Sequence, residues 1–144
     1  MNVNLVCPKC LQQALHALNE FEQYHRVVCP QCQTVFNTWI AKIRAKHSRQ
    51  NKKSNIRDYT VRVIEFSGRE NLLEFRQPGI SDFELRSGDL AAFNYLNNVL
   101  LVVQNLTVSR YVSLKASGCL GIVVLGVVGL LVFSLTTSFL LVAR

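Results

Sequence analysis

Two short cysteine pairs constrain this chain more than any other feature. Cys7-Pro8-Lys9-Cys10 and Cys29-Pro30-Gln31-Cys32 have the same form, and eighteen residues separate them. Two residues between cysteines let a tight turn aim both sulfurs at one ion, and two such turns complete a tetrahedron of thiolates. The proline after each first cysteine fixes φ and narrows the unfolded chain's freedom. A closed set of four thiolates leaves no coordination position for water or substrate, so the pattern predicts a structural site rather than a catalytic one. The expected ligands are Cys7, Cys10, Cys29 and Cys32, holding one structural Zn2+. Iron on the same ligands, as in a rubredoxin-like electron carrier, is the alternative.

The flanks of the pairs carry a resemblance. Val6-Cys-Pro-Lys-Cys10 and Arg26-Val-Val-Cys-Pro-Gln-Cys-Gln-Thr-Val-Phe36 resemble the bacterial zinc-ribbon family found at the N-termini of membrane proteins. The likeness covers about 40 residues of the N-terminal part. It implies zinc binding, with each knuckle at a strand junction and the four cysteines as ligands. The glycine common after the second cysteine of such knuckles is absent. Leu11 and Gln33 stand in its place, which predicts looser knuckles.

At the other end, residues 116–143 form a run of 28 residues without a formal charge. That exceeds the ~20 apolar residues needed to cross a bilayer, so a single transmembrane helix is expected there and the chain reads as tail-anchored. Arg110 and Lys115 precede the run and Arg144 follows it, a bias that favours a cytoplasmic N-terminal side. The first ten residues have neither a basic start nor an apolar stretch, so no secretory signal is read there. A reducing compartment fits cysteines used as metal ligands. Gly118, Gly121, Gly126 and Gly129 offer small surfaces for helix packing, and Cys119 reads as an apolar residue near the helix entrance.

Between these ends the chain divides by composition. Residues 1–40 are expected to form the ribbon, and 41–57 a polar, flexible, basic linker. Residues 58–115 are expected to form a small β domain. The net charge of +7 concentrates in the linker, where Lys42, Arg44, Lys46, Arg49, Lys52, Lys53 and Arg57 occur without one acidic residue. Such a run suits an anionic membrane surface, with nucleic acid as the alternative and Trp39 or Tyr59 stacking on bases. Residues 59–66, 72–76, 90–95, 99–103 and 107–112 alternate or run apolar between turn residues, which predicts five strands in a curled, barrel-like sheet. The run 99–103 is expected to be central.

The fold class read from the sequence is therefore mostly β: a small ribbon, a small five-stranded barrel-like domain and one C-terminal transmembrane helix. No phosphate loop, nucleophile elbow, metalloprotease helix or dinucleotide fingerprint occurs. His16, His25 and His47 read as solvated, as do Glu65, Glu70, Glu74, Asp82, Glu84 and Asp89. Asn105-Leu-Thr107 matches a glycosylation sequon, without consequence on a cytoplasmic side. The expected role is non-enzymatic: a single-pass membrane protein with cytoplasmic N-terminal domains, acting as a protein-binding or assembly subunit.

Overall fold

The structure is a computed structural model and describes residues 1–19, 23–51 and 53–115. The expected membrane helix over 116–143 lies outside the described residues, and Lys52 does too. Among the described residues no helix is long and apolar enough to cross a membrane. The fold there is mostly β and consists of two sheets.

The small sheet pairs β1 (Asn2–Val6) with β2 (Gln13–Ala17), from Asn2↔Ala17 to Val6↔Gln13. The large sheet contains β3 (Tyr24–Val28), β4 (Val35–Asn51), β5 (Ile56–Ile64), β6 (Glu70–Pro78), β7 (Leu90–Leu96), β8 (Val99–Asn105) and β9 (Arg110–Ser113). Its order is β6-β5-β4-β7-β8-β9, and β3 pairs with the first part of β4. Every pairing is antiparallel.

β4 organises the molecule. Its 17 residues pair with β3 and β7 near the start and with β5 near the end. Side chains alternate across a strand, so Phe36 and Ile40 face one core while Trp39, Ala41 and Ile43 face the other. The first core also holds Leu5, Cys7, Val27, Cys29 and Ala92. The second holds Tyr59, Val61, Val63, Phe75, Phe83, Leu85, Phe93 and Val103. Stacked Tyr59–Phe75 rings at 4.9 Å and tilted Trp39–Phe93 rings at 5.4 Å fill it.

The expected linker is thus overturned. Residues 41–51 continue β4, and Ile56 and Arg57 open β5. No break separates ribbon from β domain at residue 40. The physical reason is a β-bulge between Ile43 and Ala45, where Arg44 is the extra residue. A bulge shifts the alternation by one, so Lys46, opposite Val61, turns to the inner face. Beyond it the inner face is polar. Lys46 donates to Asp82 Oδ2 at 2.9 Å and to the Phe83 carbonyl at 2.8 Å, and its ammonium lies 5.9 Å from the Tyr59 ring centroid. Arg57 donates to Ser48 Oγ, Gln50 Oε1 and the Ile80 carbonyl. The backbone ladder to β5 holds this part of β4, not an apolar face that composition could reveal.

Other expectations shift as well. Five strands do follow residue 55, at 56–64, 70–78, 90–96, 99–105 and 110–113. The central position belongs to β4 and β7, however. β8 lies next to the edge, with Val99 exposed and Val102 and Val103 buried. His25 is buried on β3, not solvated. Glu65 and Asp89 are buried too, because each staples a turn. Glu65 accepts from Gln23, Ser67 and Asn71, and Asp89 accepts from Arg86 N and Asn105 Nδ2. Asn105 is fully buried and donates to Asp89 and the Glu84 carbonyl, so the sequon is sterically closed to a glycan.

Candidate metal centre

Each knuckle begins where a strand ends: Cys7 follows β1 and Cys29 follows β3. The turns are built alike. Leu11 N donates to the Cys7 carbonyl at 2.9 Å, and Gln33 N donates to the Cys29 carbonyl at 2.9 Å. Cys7 N donates to the Gln12 carbonyl and Cys29 N to the Thr34 carbonyl, closing both loops. Leu11 at φ 60° and Gln33 at φ 56° adopt the left-handed region without glycine. Both turns close with the same pair of bonds. The left-handed conformation costs a non-glycine residue roughly 1–2 kcal/mol at each position.

The four sulfurs all lie within 4.8 Å of one another. Cys7 Sγ is 3.7 Å from Cys32 Sγ, and Cys10 Sγ is 3.7 Å from Cys29 Sγ. A tetrahedral site with metal–sulfur bonds of about 2.3 Å has edges of about 3.8 Å. The donor set therefore fits a metal ion, and the same edges suit zinc and iron alike. None of the four is in a disulfide.

The environment of the sulfurs is uneven. Burial pushes the Cys7 thiol up to about 12, against a weaker lowering by backbone hydrogen bonds from Cys10 and Lys9. Lys9 N lies 3.4 Å from Cys7 Sγ, in position to donate to a thiolate. Hydrogen bonding from the Thr34 hydroxyl and backbone brings Cys32 down to about 6. The Thr34 hydroxyl is 3.2 Å from Cys32 Sγ and is the donor once that sulfur is a thiolate. A serine or threonine two residues past a knuckle's last cysteine is the sequence signal for this partner.

Buried amides lock the first knuckle onto the large sheet. Gln104 Oε1 accepts from Val6 N at 3.1 Å and Gln104 Nε2 donates to the Asn4 carbonyl at 2.6 Å. Asn94 Nδ2 donates to the Val6 carbonyl at 2.9 Å, and Thr38 Oγ1 donates to Asn94 Oδ1. Neither amide stands out in the sequence, because each sits inside a stretch that reads only as strand.

Of the seven basic residues expected to meet a surface, the six that the structure describes divide into two groups. Lys42, Arg44, Arg49 and Lys53 are exposed. Lys46 and Arg57 are largely buried and engaged, as described above. Trp39 and Tyr59 are buried at 6% and 1% exposure, so neither offers a ring face to a base. Comparison with protein-family models, curated proteins and solved structures returned no match.

Proposed function

We propose that this chain is a non-enzymatic, membrane-anchored zinc-ribbon protein that acts as a protein-binding or assembly subunit. The observation that carries this reading is the closed set of four converging sulfurs. Such a set is saturated by the protein and serves as a staple for turns too small to hold their shape alone. The ribbon likeness of residues 6–10 and 26–36 supports zinc, and so does the twin closure of the two knuckles. In this reading, the ribbon and a barrel-like β unit form the part outside the lipid. Residues 116–143 form one membrane-spanning helix, with the N-terminal domains in the cytoplasm. The exposed lysines and arginines of the β4–β5 hairpin then face solvent or a protein partner.

The test is cross-linking and co-purification of the full chain from its native membrane in mild detergent. A stable partner at fixed stoichiometry is the expected result, and its consistent absence overturns the assembly role. Iron is the competing metal, because the sulfur edges accept it equally. A purified protein with the visible absorption of a ferric thiolate site would replace the staple with an electron carrier.

A further inference from the structure

The strand register gathers several features at one end of the large sheet. Asn37 pairs with Tyr95, so Val35 lies level with the Asn97–Asn98 turn between β7 and β8. Val28 pairs with Val35 and leads directly into the second knuckle. Leu114 N donates to the Leu101 carbonyl at 2.8 Å, which brings the end of β9 to the same level. Lys115 Nζ lies 3.5 Å from the Lys9 carbonyl in the first knuckle. The described chain therefore leaves the fold at the metal-bearing end.

That end has the surface chemistry of a lipid contact. Val28, Val35 and Val99 are 50%, 41% and 56% exposed, although apolar β-branched side chains are usually buried. Arg26 is exposed two residues before Val28 on β3, and Lys9 and Lys115 are exposed at the first knuckle. Residues 1–19, 23–40 and 90–115 carry no acidic side chain, and Glu20, Glu22 and Asp89 are the nearest in sequence. Exposed apolar side chains and exposed cations at one end match the boundary between acyl chains and anionic headgroups.

We propose that the metal-bearing end is a bilayer-facing surface. Val28, Val35 and Val99 lie against the headgroup–acyl boundary, with Lys9, Arg26 and Lys115 among the phosphates. The proposal rests on the reading of residues 116–143 as a membrane span. The apolar run starts one residue after Lys115, which places Lys115 within about 4 Å of chain from its start. The knuckle beside Lys115 is then held at the bilayer surface. The ribbon acts as a rigid foot whose shape depends on the metal, and the rest of the sheet rises from it.

The experiment uses the full chain reconstituted in anionic vesicles of ordinary or brominated lipid. It compares Val99→Trp with Ser54→Trp, which lies at the tip of the β4–β5 hairpin. Both sites are exposed, and buried Trp39 gives both variants a common baseline. Flotation in alkali is measured on the same samples. The expected result is flotation of both variants, with brominated lipid quenching only the Val99→Trp emission. Flotation without quenching at Val99 overturns the proposal and leaves the membrane-span reading standing. Emission that ignores brominated lipid but shifts with protein-to-lipid ratio assigns the face to a second copy and also overturns it. Failure to float overturns both readings.

Discussion

Leu11 and Gln33 carry the left-handed turns that close the two knuckles, and neither side chain suits that conformation. Glycine removes the clash between Cβ and carbonyl, although it adds freedom to the unfolded chain. Where the native φ is positive, relief of the clash is the larger effect. Leu11→Gly and Gln33→Gly are each predicted to stabilise the metal-loaded protein by up to ~1 kcal/mol, and Leu11→Val to destabilise it. Thermal melts of the metal-loaded forms check this. The thiols give a second prediction, because metal binding displaces protons. Near neutral pH the Cys7 thiol, raised to about 12, must lose its proton on loading, while Cys32, lowered to about 6, already lacks one. Below pH 6 Cys32 also holds a proton that the metal must displace. Affinity therefore falls as pH falls, and the fall steepens by about one proton per metal below pH 6. Chelator competition across pH 5–8 measures the slope, and a constant slope would refute the assigned role of Thr34.

At the scale of elements, β4 decides how far loss of the metal spreads. The ribbon reading of residues 1–40 suggests that they unfold together when the metal leaves. Residues 35–40 are nevertheless the first part of β4, where residues 37–40 pair with β7 and Phe36, Trp39 and Ile40 are divided between both cores. Chelation is predicted to expose the amides of both knuckles to exchange and to leave residues 36–42 protected. Hydrogen exchange with and without chelator resolves the two segments. Exchange throughout residues 36–42 would return the boundary to residue 40. The sequence revealed the four ligands because their spacing is local. It revealed the strands after residue 55 because Val61, Val63, Val102 and Val103 lie in apolar patterns between turns. It concealed the second half of β4, where Ser48, Gln50 and Arg57 line a polar interior. A strand held by its ladder and a bulge leaves no periodic signature. The Asn94 and Gln104 anchors were hidden for a related reason, since a buried amide shows its purpose only beside its partner.

At the scale of the whole molecule, the length of β4 separates two surfaces that the sequence placed together. Sixteen steps from Val35 to Asn51 at about 3.3 Å each extend up to ~50 Å. The chain leaves the fold at the metal-bearing end, whereas Arg49 and Lys53 sit near the far end of the β4–β5 hairpin. Screening at physiological salt confines an anionic bilayer's attraction to about 8 Å. If the molecule stands on its metal-bearing end, the hairpin lies several screening lengths above the headgroups and is free of them. Trypsin cleavage after Lys53 is therefore predicted to proceed at the same rate on neutral and anionic vesicles carrying the full chain. Cleavage after Lys9 is predicted to slow on the anionic ones. Lys53 is a suitable reporter because it is exposed in the hairpin turn, where its backbone N–H donates to the Asn51 side chain. Slower cleavage at Lys53 on anionic vesicles would mean that the sheet lies along the bilayer. The exposed cations of β4 would then regain the lipid role that their composition suggested.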